Sequence, residues 1–389
     1  MHIIHVITSL FPGGAQSALC RLCMNDSSNR HTVIAMIGGG DLEEPLRRHG
    51  VMVESLGFSR QAGLVTGVVA LWRCLKRYEP DLVQTWMYHP DLVGGVCARL
   101  AGIRHVCWGI RHTALEAGHS SRSSIFAAKL CARLSGLVPD RIVCCANEAA
   151  RLHAALGYQA DKMVVIANGY DLSDFRPHKH RDVLAHRETL LGSDAARPIL
   201  GMVGRFNAQK DHENLLRALA EVKSRGHDFL CLLVGADLDE GNATLVGWID
   251  ELGLTAHTRL LGLRSDIPEI MNCLDLHVLS SAFGEAFPNV IAEAMACGTP
   301  CVGTDVGDTS LIIGETGWVV PPRDTKALAD AIQVALVERK TLFRDWIERR
   351  RGCAERIRNH FTIDRMVASY SKVWVECLGV ADAMERGRP

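Results

Sequence analysis

Apolar runs of four to seven residues, each followed by a stretch with apolar positions every three or four residues, succeed one another along the chain. Runs that short and that uniformly apolar suit strands covered on both faces, and their alternation with helical patterns calls for parallel sheets. They fall into two series. The first reads His2–Thr8, Thr32–Ile37, Leu82–Thr85, Val106–Gly109, Arg141–Cys145 and Val164–Ala167. The second reads Ile199–Val203, Phe229–Val234, Arg259–Leu261, Leu276–Leu279, Pro300–Gly303 and Gly317–Val319, with helical spacing over Asn214–Arg225 and Ala327–Val337. Between them lies a polar stretch, Asp171–Pro177 and then the His- and Arg-rich His178–Arg187, which reads as a linker near 170–197. For 389 residues this predicts two doubly wound α/β domains and not one eightfold barrel. The expected boundaries are 1–175 and 195–360, with a last helix near 362–389 available to pack back on the first domain.

Charge and composition narrow the function. A net charge of -1 argues against nucleic acid as the main partner, although the first 190 residues carry 21 basic against 16 acidic side chains and the remainder 22 against 28. The 14 cysteines sit among apolar neighbours, as in Val96-Cys97-Ala98 and Ile142-Val143-Cys144-Cys145, which suits reduced thiols in a core better than a disulfide framework. No uncharged apolar run approaches the ~18 residues that span a bilayer, and Met1–Val6 lacks the charged leader of a signal peptide. The expected location is cytoplasmic. Along residues 119–134, Ile125, Phe126, Leu130 and Leu134 recur at helical spacing beside Arg122, Lys129 and Arg133. Two readings stay open there: a core-packed helix with a solvated face, or peripheral contact with an anionic membrane surface.

In open parallel sheets, ligands lie beyond the carboxyl ends of the strands, so the loops at those ends are where chemistry is sought. Ser9–Gln16 contains Gly13-Gly14 and opens a helix, a place where backbone can approach a phosphate. It is not G-x-G-x-x-G and no acid closes the second strand, so a nicotinamide dinucleotide is poorly supported; a tight turn without ligand is the other reading. Gly201–His212 sets Gly204-Arg205 and Lys210 ahead of a helix, two cations suited to a pyrophosphate or simply to solvent. Ser281–Pro300 contains Glu285 and, after seven intervening residues, Glu293 on an apolar stretch. Pro288 there fits a first helical turn, leaving the amides of Asn289 and Val290 to face an anion.

With those residues in this order the sequence resembles the retaining, nucleotide-sugar-dependent glycosyltransferases of family 4, GT-B fold. Gly317-Trp318-Val319-Val320-Pro321-Pro322 adds to the likeness, which runs from Gly13-Gly14 to about Val337. The resemblance implies two Rossmann-like domains facing across a cleft. It implies that Arg205 and Lys210 bind the donor pyrophosphate, Glu293 the ribose, and Glu285 the hydroxyls of the transferred sugar. Gly13, Gly14, Gly204, Phe287, Asn289 and Val290 would approach the donor through backbone, and Leu263 and Arg264 would lie at the base. His112 would approach the donor sugar and His89 the acceptor. Phe283 departs from the small residues common in the family at that point, and either shapes the sugar pocket or packs.

The reaction so implied moves a hexose-type sugar, with retention, from a nucleotide diphosphate sugar, UDP-sugar first, to a glycan or lipid-linked acceptor in surface polysaccharide assembly. No cofactor beyond the donor and no metal is expected, since fixed cations can stabilise the leaving diphosphate; Asp237-Leu238-Asp239 looks like a metal-binding pair but arises readily by chance. Alternatives are a sugar-nucleotide epimerase or hydrolase on the same scaffold, and a non-catalytic nucleotide-sugar-binding protein. No G-x-S-x-G or H-E-x-x-H occurs.

Overall fold

The computed structural model describes residues 1–58, 64–113 and 121–379. The chain divides into two units, one of Met1–Gly169 joined by the segment from Ile363 onward, the other Tyr170–Thr362. The boundary therefore falls at residue 170, and the helix His180–Leu191 inside the stretch read as a linker belongs to the second unit.

Among the described residues the first unit contains β1 (His2–Ile7), β2 (Arg30–Ala35), β3 (Met52–Ser55), β4 (Leu82–Trp86), β5 (Val106–Ile110), β6 (Arg141–Cys144) and β7 (Met163–Val165). All pair in parallel, in the order β3-β2-β1-β4-β5-β6-β7. The series read from sequence lacked β3. Met52–Ser55 is an edge strand with alternating exposure, so it carries no continuous apolar run. The unit's core joins Ile3 and Ile7 of β1, Leu19 and Leu22 of helix Gly14–Asn25, and Tyr370 and Trp374 of helix Ile363–Cys377.

One polar chain crosses that core. Trp86 Nε1 donates to His5 Nδ1 at 3.1 Å, His5 Nε2 lies 2.9 Å from His31 Nδ1, and His31 Nε2 lies 3.1 Å from Asp26 Oδ2. The Trp86 donor fixes the His5 proton on Nε2, which passes the same choice to His31, so each nitrogen is satisfied by its neighbour. All fourteen cysteines are free thiols, and burial pushes those of Cys20 and Cys231 up to about 12.

The second unit's described residues contain β8 (Ile199–Val203), β9 (Leu230–Val234), β10 (Thr258–Gly262), β11 (Leu276–Leu279), β12 (Cys301–Thr304) and β13 (Trp318–Val320). These too are parallel, in the order β10-β9-β8-β11-β12-β13. The order reverses between β1 and β4 and again between β8 and β11. Such reversals open a crevice at the strands' carboxyl ends, so the loops after β8 and β11 are neighbours.

No helix among the described residues is long and apolar enough to cross a membrane. Residues 119 and 120 of the amphipathic stretch lie outside the described residues. In helix Arg122–Leu134, Ala127, Ala128 and Cys131 are buried while Phe126 is exposed.

Candidate active site

The loop leaving β8 is tied down by backbone before any side chain acts. The Gly204 amide donates to Val234 O at 2.9 Å and the Phe206 amide to Ala236 O at 2.9 Å. Gly235 makes that approach feasible: its φ is +148° and a Cβ there would sit 2.1 Å from Gly204 O. Gly235→Ala is therefore expected to lower stability by about 1–3 kcal/mol, read by urea and thermal melts. Unchanged values in both would show that this loop tolerates displacement.

The loop after β11 clasps the loop after β8. Ser280 Oγ donates to Lys210 O (2.8 Å) and Asp211 O (3.0 Å), and the Ala282 amide donates to Gln209 O (2.8 Å). A third loop closes on the same segment, for the Asp308 amide donates to Ala286 O at 2.9 Å. Gly307, φ +64°, lies where a Cβ would meet Glu285 O at 2.3 Å.

Two residues 75 apart in sequence are thereby joined. Lys210 Nζ donates to Glu285 Oε1 at 2.7 Å, and Ser281 Oγ donates to the same oxygen at 2.7 Å. The two side chains are only 14% and 10% exposed. Burial works to raise the Glu285 pKa, but the Lys210 ammonium and the hydrogen bonds from Lys210, Ser281 and Gln209 outweigh it, so the carboxyl stays below its usual range. Beneath the pair lie two imidazoles. Burial, with Lys210 adding, drives His212 down to about 4 and His277 to about 3. Both rings are neutral at pH 7, so they add no charge to the Lys210–Glu285 ion pair.

The remaining residues of this unit occupy different positions. Arg205 is exposed and its guanidinium makes no hydrogen bond or ion pair with any described residue. Pro288 is not in the first helical turn as expected: it caps helix Asn289–Ala296 with an extended ψ of 98°. Asn289 Oδ1 accepts from Tyr170 OH at 2.6 Å. Phe287 is buried against Phe361, centroids 5.5 Å apart, so only its backbone is available to a ligand. Val290 and Glu293 are half-buried on the same helix. Leu263 is 82% exposed just past β10, while Arg264 is gripped by Asp266 through two hydrogen bonds of 2.8 and 2.6 Å. The Arg323 guanidinium lies 5.9 Å from the Phe283 ring centroid, so that ring forms a platform for a cation. Leu238 is fully buried between Asp237 and Asp239, and Asp239 Oδ1 accepts from the Gly241 amide, the geometry of a turn.

In the first unit, Gly13 caps helix Gly14–Asn25 in extended conformation, and both glycines are exposed or nearly so. His112 follows β5, half-buried, and its field acts on His153, whose pKa burial lowers to about 4. His153 Nδ1 lies 2.7 Å from Ala149 O and its Nε2 3.0 Å from Tyr88 OH. Next to it, Arg111 lies 5.0 Å from the Trp86 ring centroid and hydrogen-bonds Tyr370 OH and Asn168. His89 is half-buried in the first turn of helix Tyr88–Leu100, its pKa lowered by burial, two residues after Met87 at φ +76°. Asp91, two residues on, is fully buried and accepts from Thr85 Oγ1 (2.5 Å) and the Gly109 amide (3.2 Å).

Sequence reasoning gave no role to Ser281, Gln209, Tyr170 or Asp91. Ser281 stands four residues before Glu285, a spacing that could have suggested a donor to that carboxylate; the others carry no local signal.

Two parallel-sheet units with loop-borne charge at the carboxyl ends of their strands fit the GT-B architecture, which the comparisons with known proteins support. Residues 12–174 match the model described as "Glycosyltransferase Family 4" and residues 197–338 that described as "Glycosyl transferases group 1". The chain belongs to glycosyltransferase family 4. The UDP-Gal:alpha-D-GlcNAc-diphosphoundecaprenol alpha-1,3-galactosyltransferase of Escherichia coli is 28% identical to it over 322 residues, 79% of each chain. The D-inositol 3-phosphate glycosyltransferase of Rhodococcus erythropolis is 32% identical over 246 residues, 61% of this chain and 54% of that one. Anabaena Alr3699/HepE, solved in complex with UDP-glucose, shares the fold with a TM-score of 0.83 at 22% identity, covering 97% of this chain and 100% of that one.

Proposed function

We propose that the chain is a retaining, metal-independent hexosyltransferase that moves a sugar from a UDP-sugar to a glycan or lipid-linked acceptor in surface polysaccharide assembly. The observation that carries this is the buried Lys210–Glu285 pair, held by two loops at the reversal between β8 and β11. The E. coli relative's name, a UDP-Gal-dependent transferase acting on a diphosphoundecaprenol-linked sugar, supports the choice of donor and acceptor class.

Breaking an anomeric C–O bond builds positive charge on the sugar and negative charge on the departing diphosphate. Lys210 has three N–H donors and spends one on Glu285. The other two, with the exposed Arg205 guanidinium, are assigned to the leaving diphosphate. Glu285, kept ionised by its lysine, accepts from hydroxyls of the transferred sugar and so fixes the sugar relative to the phosphates. Glu293 is assigned to the ribose hydroxyls, the amino end of helix Asn289–Ala296 to phosphate, and the exposed Leu263 to the base. With no nucleophile required of the protein, the acceptor attacks the face that the diphosphate leaves, and the departing phosphate takes its proton. The acceptor is assigned to the first unit near His89.

A product assay tests the proposal. Radiolabelled UDP-hexoses are incubated with and without lipid-linked acceptor, in buffer and in EDTA. The expected result is a new α-linked glycoside that depends on acceptor and persists in EDTA. Sugar release without acceptor would instead favour the hydrolase, and loss of turnover in EDTA would overturn metal independence.

A further inference from the structure

The second unit holds a cavity of about 780 Å³ that the transferase chemistry leaves unused. It lies at the opposite end of the sheet from Lys210 and Glu285. Asp275 in its wall immediately precedes β11 and accepts, through Oδ2, from the amide of Ile199 that begins β8 (2.8 Å). The lining carries five arginines against two carboxylates.

Two of those arginines pair with one acid, and a third stands beside them unpaired with it. Arg187 Nη2 and Arg339 Nε each lie 3.0 Å from Asp275 Oδ1. Oδ2 accepts from Ile199, and among the described residues neither oxygen pairs with Arg350. Among the described residues, the Arg350 guanidinium has a single hydrogen bond, 3.3 Å to Leu274 O. Its pKa is lowered, first by burial and then by Arg187 and Arg339 against the pull of Asp275. A partly desolvated excess of positive charge is costly unless an anion shares the space. The mouth is apolar: Leu184, Phe343 and Ile347 line it and are 43%, 69% and 46% exposed.

We infer that this cavity is a second anion site, distinct from the donor site, which takes a phosphate or diphosphate group on an apolar body. The guanidiniums of Arg187, Arg339 and Arg350 receive the phosphate oxygens, and Leu184, Phe343 and Ile347 cover the apolar part. The phosphate is either that of a soluble ester or that of a lipid headgroup.

The test uses the full chain carrying Lys210→Ala, so that binding here does not depend on the donor-site assignment. Inorganic pyrophosphate and geranyl diphosphate are titrated calorimetrically, and phosphatidylglycerol vesicles are tested by co-sedimentation against phosphatidylcholine vesicles. Pyrophosphate is expected to bind, and geranyl diphosphate to bind about tenfold tighter through its buried CH₂ groups. Adding Arg350→Gln should weaken both by about ten- to a hundredfold, as loss of a charge-assisted hydrogen bond does. The half-buried Arg339→Gln serves if Arg350→Gln fails to fold, and the melting temperature decides which is used. Binding confined to the soluble ligands assigns a free ester; sedimentation with phosphatidylglycerol that is lost with the arginine assigns a lipid headgroup. No binding of either kind, or binding indifferent to both arginines, overturns the inference. In an otherwise unaltered chain, Arg350→Gln is expected to leave UDP binding unchanged, so failure here leaves the transferase reading intact.

Discussion

Lys210→Ala is expected to cut transfer by about 10²–10³-fold, the usual result of removing one preorganised charge from a transition state. The same change should cost about 3–5 kcal/mol of stability, because it strands the buried Glu285 carboxylate. The two effects separate in a double variant. Lys210→Met with Glu285→Leu leaves no orphaned charge and should recover most of the lost stability while remaining inactive. Glu285→Ala alone should abolish transfer with a smaller stability loss, since a lysine can carry its ammonium back to water. Urea melts and initial rates on the three proteins decide it. Wild-type rates in Lys210→Ala, or transfer restored in the double variant, would remove the pair from the chemistry.

Asp91→Asn is expected to stabilise the protein, and more so as pH rises. Burial pushes the Asp91 carboxyl up to about 8, against the hydrogen bonds from Thr85 and Gly109 that lower it. Its other oxygen has no hydrogen-bond partner among the described residues. The folded chain therefore holds this proton between about pH 4 and 8 while the unfolded chain has released it. Stability falls across that window and is flat above it. Asparagine has no proton to lose, so its advantage should be near zero at pH 4 and on the order of 3–5 kcal/mol at pH 8. Asp26 does not confuse the measurement. Burial would raise it, but hydrogen bonds from His31, Asn29 and Ser28 hold it at about 2, so its contribution is lost only as pH falls from about 4 toward 2. Parallel stability-versus-pH curves for wild type and Asp91→Asn would show that Asp91 is ionised in the folded protein.

Strands β8 and β11 were legible to the residue because their side chains are buried throughout, so the runs read apolar with His277 the one ionisable position. β3 was not, because an edge strand with one wet face obeys a weaker pattern. The candidate site divides in the same way. Gly204, Lys210, Glu285 and Glu293 could be picked out because loops after strands carry ligands and because charge on an apolar stretch needs a reason. That Lys210 would rest on Glu285, and not stand apart from it, depends on β8 and β11 being neighbours, which no spacing along the chain reveals. The Asp275 cluster was invisible for the same cause: Arg187, Asp275, Arg339 and Arg350 come from four separate segments, and each alone is an ordinary charged residue. Pro288 shows the limit of local rules, since its ring suits both the cap and the first turn.

The return of helix Ile363–Cys377 to the first unit bears on the order of events during synthesis. Ile363, Met366, Tyr370, Val373 and Trp374 belong to the same core as Ile3 and Ile7, yet the ribosome makes them only after the whole of Tyr170–Thr362. A nascent first unit must wait with that apolar surface uncovered, whereas the later unit is continuous in sequence and can complete itself as it emerges. The protein made first is thus the last to be finished, and stalled or nicked chains that end before Trp374 should be the ones that aggregate or recruit chaperones.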